Sequence, residues 1–251
     1  DAGRNQRLRL VESHLSLGPV DAALANGLCR VLAAEGAEVE HEMLQQRAEP
    51  AKHVASVTAE VAAGASYRLR AVHSGAKVAR LNAAVLLQGE AASCELQGAT
   101  LAGGTQQLGL YSLIHHIAPG CRSNQLQKHV AGGQAECIFR GRIRVDKKAQ
   151  QTDSSQLCRS LLLQKQAKVK VMPSLQIQAD DVSCSHGAAV TELDADELFY
   201  MASRGLSIEQ ARKLLLVAFP QDVVAGLRKS APRAYERLLK KLQSLASEVA
   251  R

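Results

Sequence analysis

Apolar and polar residues alternate with a period of two through much of residues 1–190, and this alternation constrains the fold more than any other feature. In CIFRGRIRV, residues 137–145, small or apolar residues occupy every second position and three arginines lie between them. AKVKV at 167–171 and LQIQA at 175–179 repeat the pattern on either side of Pro173. Because successive side chains of a strand point to opposite faces, each stretch predicts a half-buried strand.

Glycine–alanine pairs separate several of these short segments and predict tight corners, because glycine accepts the positive φ that a corner needs. Residues 21–44 are rich in helix-forming residues, yet they also alternate and contain one such pair, so we predict strand, corner and strand there. Short strands without long intervening helices indicate a stacked β-solenoid or a sandwich. The pairs lie at 36–37, 64–65, 75–76, 98–99 and 187–188.

The hydrophobic period changes to 3.6 after residue 190, which predicts a β domain over 1–190 and a helical domain over 191–251. Asp194 or Asp196 can cap a first helix. Ser207 and Gln210 have the spacing of a capping box for a second helix, and a third begins near Pro232. The predicted apolar face of the second helix consists of Ile208, Ala211, Leu214, Leu215 and Ala218.

The composition argues against several classes of function. The net charge is +7, but no block of Lys and Arg is dense and aromatic residues make up only 3%, which disfavours nucleic-acid binding. The six cysteines are scattered without a CxxC pair, which indicates a reducing compartment. No apolar run approaches the roughly 20 residues of a membrane-spanning helix. Motifs for a P-loop, a nucleophile elbow, a zinc protease or a dinucleotide fold are absent from the sequence.

Two pairs of residues could bind metal or take part in catalysis. His115 and His116 are adjacent, so on a strand they would face opposite sides and could not readily share one ion. Cys184 and His186 are two apart, so on a strand they would share a face. A thiol and an imidazole can both bind borderline metals, although two ligands alone do not make a metal site. On spacing alone, a buried cysteine and a hydrogen-bonded histidine is the simpler interpretation.

The stretch ADDVSCSHGAAV at 179–190, followed by LFY and SRGL, resembles the SufD branch of the SufB/SufD family of iron–sulfur cluster assembly proteins. The upstream FRGRIRV strand at 139–145, AQQT at 149–152 and SLLL at 160–163 also resemble that family. The CSHGA form favours SufD over the related SufB, which remains an alternative. The motif details also favour plastid members, so we expect a plastid stroma location, or alternatively a bacterial cytoplasm.

The resemblance implies a right-handed parallel β-helix and a small C-terminal helical domain. It implies pairing with SufB through the β-helix and docking of the SufC ATPase on the helices, which makes this chain a non-catalytic scaffold that binds no nucleotide itself. His186 would contribute to a transient iron or iron–sulfur site shared with SufB, and Cys184 lies in the same motif. Candidate partner-binding residues are Phe199, Tyr200, Arg204 and Gly205. The family's amino-terminal helical region is expected to be missing from this chain.

Two other functions remain open at this stage. A β-helix enzyme acting on polysaccharides would use acidic residues, and Asp180 and Asp181 are an adjacent acidic pair late in the β region. Their position before the CSHG motif fits a chain turn better than acid–base catalysis. A β-helix interaction protein without any metal role is the third possibility.

Overall fold

The computed structural model describes residues 1–17 and 23–248, and it contains thirteen strands followed by five helices. None of the helices described is long and apolar enough to cross a membrane. The strands are β1 Arg7–His14, β2 Leu24–Ala33, β3 Glu38–Gln45, β4 Lys52–Val61, β5 Ser66–His73, β6 Val78–Leu87, β7 Ser93–Ala102, β8 Gln107–His116, β9 Arg122–Ala131, β10 Glu136–Val145, β11 Thr152–Leu162, β12 Lys168–Ile177 and β13 Val182–Thr191.

The strands form a parallel β-solenoid of about six turns, as predicted. Odd-numbered strands build a seven-stranded sheet in the order β1-β3-β5-β7-β9-β11-β13, and even-numbered strands build a six-stranded sheet from β12 to β2. Each turn therefore contributes one strand to each sheet, and equivalent residues stack in columns. Glu38, Ser66, Ser93 and Arg122, for example, occupy one column through β3, β5, β7 and β9.

The alternation predicted from the sequence corresponds to the inside and outside of the solenoid. In β10, Cys137, Phe139, Ile143 and Val145 are fully buried, whereas the arginines between them are exposed. The two segments around Pro173 form one continuous strand, β12, in which Pro173 stands opposite Gly141. Since β12 lies at the edge of its sheet, proline interrupts no second ladder of hydrogen bonds there.

Only some of the predicted glycine corners are correct. Gly36 and Gly64 have φ angles of 68° and 64° and turn the chain between strands. The strand–corner–strand prediction for 21–44 is confirmed in β2 and β3, although residues 21 and 22 lie outside the described residues. The 75–76 corner also exists, but Ala76 carries the positive φ of 63°. The pairs at 98–99 and 187–188 lie inside β7 and β13, so those two predictions were wrong.

Five helices follow the solenoid, with caps that the sequence largely predicted. They are α1 Ala195–Ser203, α2 Ile208–Ala218, α3 Gln221–Val224, α4 Leu227–Ser230 and α5 Pro232–Glu248. The Asp194 side chain accepts a hydrogen bond from the backbone N–H of Asp196, and so begins α1. Ser207 and Gln210 form the predicted capping box of α2. These contacts satisfy backbone N–H groups that have no partner inside a helix.

The helices pack on the outer face of the seven-stranded sheet rather than standing apart from it. Leu238, Leu242 and Leu245 of α5 share a buried cluster with Leu101 and Val130 of the solenoid. The predicted face of α2 was partly wrong: its buried residues are Ala211 and Leu216, and Ile208 and Leu214 are about half exposed. The change from strands to helices falls between Thr191 and Ala195, while the division into two domains near 190 stays a prediction.

Candidate functional site

The last turn of the solenoid carries the CSHG motif on β13. Within the described part of the chain, β13 pairs only with β11, and β12 pairs only with β10. Both strands therefore end their sheets and present an edge of backbone N–H and C=O groups that none of the described strands covers. Such edges are ready to pair with another chain, and they make this end of the molecule a candidate interface.

Cys184 and His186 lie on the same face of β13, as their spacing predicted. Cys184 stands opposite Ser154 and His186 opposite Gln156 in the register with β11. Because Ser154 and Gln156 are buried inward-facing residues, the thiol and the imidazole continue the interior columns of the solenoid. Cys184 is half-buried and His186 is exposed, since no strand described beyond β13 covers them.

The local electrostatics keep the Cys184 thiol protonated in the isolated chain. Partial burial raises the pKa of Cys184, and the negative charge of Asp153 raises it further. A bound metal ion would reverse this, because coordination stabilises the thiolate. No hydrogen bond of the described residues holds the His186 ring, so its nitrogens are available to an incoming ligand. The simpler interpretation of a buried cysteine and hydrogen-bonded histidine therefore does not describe this pair.

A stack of polar side chains lies directly behind His186 in the solenoid. Gln156 Nε2 donates to Gln125 Oε1 at 2.8 Å, and Gln125 Nε2 donates to Ser112 Oγ at 2.9 Å. Gln156 Oε1 is buried and has no hydrogen-bond partner among the described residues. This oxygen therefore lies in the same inward column as His186, which stands opposite Gln156 on β13. Sequence reasoning missed this stack, although Gln125 and Gln156 occupy the inward positions of alternating strands.

We expect Gly141→Ala to disturb this stack and destabilise the protein by about 1–3 kcal/mol. A Cβ atom at Gly141 would lie 2.2 Å from Gln156 Nε2 and 2.5 Å from Phe139 Cζ. Gly27→Ala is the matched control, since a Cβ on that strand glycine meets nothing within 4 Å. Urea unfolding of the unchanged chain and of the two variants measures the change in the free energy of unfolding. Equal unfolding free energies for the two variants would contradict the predicted crowding.

The other candidate pairs have structural roles. His116 is buried and its Nε2 lies 2.9 Å from Ser123 Oγ, while the His115 ring lies 2.9 Å from Asp146 Oδ1. The two histidines face opposite sides of β8, as predicted. Asp180 and Asp181 are exposed residues at the corner between β12 and β13, where the Asp181 carbonyl accepts a hydrogen bond from Gln151 N–H.

Besides the β12–β13 edge, helix α1 carries an exposed surface of aromatic side chains. Phe199 and Tyr200 of α1 are 75% and 60% exposed. The Arg204 guanidinium lies 5.3 Å from the centre of the Tyr200 ring, and Gly205 ends this region with a φ of 89°. We call Phe199 and Tyr200 of α1, together with the exposed Ile208 at the start of α2, the α1 patch. Large aromatic side chains on the surface are typical anchors of protein interfaces.

Comparisons with a family model and with curated proteins give consistent matches. The model of the SUF system FeS cluster assembly SufBD core domain matches residues 1–219. Protein ABCI7, chloroplastic, of Arabidopsis thaliana is 38% identical over 79% of the chain and 42% of its own length. An iron–sulfur cluster assembly SufBD family protein of Synechocystis is 36% identical over 79% of the chain and 44% of its length. Escherichia coli SufD is 32% identical over 61% of the chain and 36% of its length. The chain spans less than half the length of these relatives.

Proposed function

The chain belongs to the SufBD family of iron–sulfur cluster assembly proteins, and we propose that it serves there as a non-catalytic SufD-type scaffold subunit. In this proposal the exposed edges of β12 and β13 pair with SufB. His186 contributes a nitrogen ligand to iron or to a nascent cluster at the joint surface, and Cys184, two residues before it, is the candidate sulfur ligand. The cluster is cargo that is passed on, and this chain binds no nucleotide.

The observation that carries the proposal is the pairing of an imidazole and a thiol on an uncovered final strand. Two ligands on one chain are too few for a closed metal site, which usually has four. An interface solves this shortage, since a partner can add the remaining ligands. An open coordination position suits transient cargo better than a complete cage, because the cluster must leave again.

The helices offer a route by which an ATPase could act on this surface. We propose that SufC docks on the α1 patch. The connection between β13 and α1 is short, and α5 shares a buried core with the solenoid. A movement of SufC would therefore be transmitted to β13 and to the β12–β13 edge. A ligand shifts such an equilibrium only through different contacts in the two states, which nucleotide binding to SufC would supply.

We propose that the protein functions in the plastid stroma, with a bacterial cytoplasm as the alternative. The chloroplastic and cyanobacterial relatives support this location. The six cysteines are all free in the structure, in keeping with a reducing compartment.

The proposal is tested by anaerobic co-purification of this chain with SufB and SufC, followed by quantification of iron and sulfide. We expect the three chains to purify together and to hold more iron and sulfide than SufB and SufC prepared without this chain. A complex whose iron and sulfide contents do not depend on this chain would contradict the scaffold function. Failure of the folded chain to join either partner would contradict the proposed pairing.

Phe199→Asp is expected to weaken SufC binding by roughly tenfold or more, because a buried hot-spot aromatic contributes at least about 2 kcal/mol. Binding to SufB should not change, since the α1 patch and the β12–β13 edge are separate surfaces. Leu28→Asp is the matched control, because Leu28 is 79% exposed on β2 at the other end of the solenoid. Affinities for SufC are measured by surface plasmon resonance. The docking site would be contradicted if both variants bound SufC as tightly as the unchanged chain.

A further inference from the structure

A second group of metal-binding side chains lies in the first turn of the solenoid, at the opposite end from His186. Glu12 of β1, Cys29 of β2 and His41 of β3 place one ligand atom each within 4.8 Å of one another. These residues are far apart in sequence and form no motif. The register places them on inward positions, so the two sheets bring them together from both sides.

We propose that Glu12, Cys29 and His41 bind a divalent transition-metal ion of the Zn²⁺ or Fe²⁺ type inside this first turn. The donor set is one carboxylate, one thiolate and one imidazole. Thiolate and imidazole select borderline metals over Mg²⁺ and Ca²⁺, which prefer oxygen ligands. Three protein ligands leave a fourth position open for water or an exchangeable ligand.

Neighbouring side chains hold the ligands in place. Tyr67 Oη lies 2.9 Å from His41 Nδ1, which directs His41 Nε2 toward Glu12 Oε1 at 2.9 Å. His14 Nε2 lies 3.3 Å from Glu12 Oε2 without forming a hydrogen bond, and it has no hydrogen-bond partner among the described residues. Metal-ligating histidines and carboxylates usually have second hydrogen-bonded contacts of this kind, which fix their orientation.

The charge of Glu12 is the strongest argument for an ion. Carboxylates on the outer face of the solenoid pair with arginines, as Glu42 does with Arg70 at 2.6 Å. The ion-pair contacts of Glu12 among the described residues are instead to the rings of His14 and His41. Both are imidazoles, so no lysine or arginine among the described residues pairs with this carboxylate. Carboxylates taken out of water are normally paired with a cation or bound to a metal.

Metal binding requires two proton movements, and both balance. The Cys29 thiol releases its proton to buffer when the metal binds, because the thiolate is the form that ligates the ion. The His41 proton must lie on Nδ1, where it donates to Tyr67 Oη, so that the Nε2 lone pair faces the ion. No redox step and no further reactant is involved.

The test is anaerobic titration of the chain with Co²⁺, followed by thiolate-to-cobalt charge-transfer absorption, and then by competition with Zn²⁺ and with Fe²⁺. We expect one ion per chain with a thiolate band. Cys29→Ser should abolish the band, and Glu12→Gln should weaken affinity by roughly tenfold or more. Cys121→Ser is the matched control and should leave the band unchanged, because Cys121 is a buried free cysteine outside both proposed sites. Displacement of cobalt by Zn²⁺ or by Fe²⁺ identifies the preferred metal.

Several results would overturn the proposal. The first is a wild-type chain that shows no thiolate band, and the second is a band that survives Cys29→Ser. A band lost in Cys184→Ser would place the ion at the other end of the solenoid. Circular dichroism checks that each variant is folded. If Cys29→Ser does not fold, the affinity of Glu12→Gln for cobalt decides the question. None of these results depends on SufB or SufC, so failure here leaves the scaffold function untouched.

Discussion

His186→Ala is expected to reduce the iron and sulfide held by the complex with SufB and SufC by roughly tenfold or more, while the complex itself still forms. The expected loss reflects the removal of an exposed imidazole that no hydrogen bond of the described chain uses. The solenoid core does not include this side chain, so stability should change little. Iron and sulfide are quantified anaerobically in complexes purified side by side.

His115→Ala is the matched control for that experiment. His115 faces outward on β8 and contacts Asp146, so its loss removes an imidazole without touching the final strand. It should leave the cluster content unchanged. Equal loading of the wild type and His186→Ala would show that the CSHG motif is structural here.

Acid is expected to unfold the chain at a pH where ordinary carboxylates are still charged. Burial lowers the pKa of His53 and His116 to about 4, and that of His73 and His129 to about 3. Their unfolded value is about 6.5, so between these values the unfolded chain binds more protons than the folded one. Stability is therefore fully present above pH 6.5 and is lost as the pH falls toward 4.

The size of this effect makes it easy to measure. Each of the four histidines contributes about 1.4 kcal/mol per pH unit within that window. Together they contribute about 5.5 kcal/mol per unit, a large share of the 5–15 kcal/mol that stabilises a typical domain. Urea midpoints from pH 7.5 to 4.5 should fall steeply below pH 6.5. His73→Gln should reduce the slope by about a quarter, because it removes one of the four histidines whose pKa is lowered by burial. No hydrogen bond is lost with it, since neither nitrogen of His73 has a partner among the described residues. A midpoint independent of pH across this range would contradict the prediction.

The sequence predicts the strands well where the inward residues are apolar. Cys137, Phe139 and Ile143 alternate with arginines, and a period of two has only one structural interpretation there. Glycine is less informative, because it serves both at corners and at crowded positions within strands. A Cβ at Gly98, for instance, would lie 1.8 Å from Gln127 Oε1. The sequence therefore could not separate Gly98 in β7 from Gly36 at a corner.

The helical region shows a second limit of sequence patterns. Apolar residues cover more than half of α2, so its hydrophobic pattern could not distinguish the buried Leu216 from the exposed Leu214. The caps at Asp194 and Ser207 were predictable because each side chain accepts a hydrogen bond from a backbone N–H only two or three residues later.

The site was predictable only in part, for a related reason. Cys184 and His186 share a face through local geometry, and their spacing was sufficient. The Gln125–Gln156 stack and the Glu12–Cys29–His41 group depend on which turns of the solenoid lie against each other. Polar residues on inward positions also break the rule that apolar residues face the core, so their pattern resembles a surface.

The most direct test of the account is whether a histidine nitrogen of this chain binds the cluster. The complex is assembled with ¹⁵N-histidine in this chain alone, the cluster is reduced, and its nitrogen hyperfine couplings are measured by pulsed electron paramagnetic resonance. We predict a ¹⁵N coupling that replaces a ¹⁴N coupling of the unlabelled complex and that is missing in His186→Ala. A spectrum that labelling does not change would contradict the assignment of His186 as a cluster ligand.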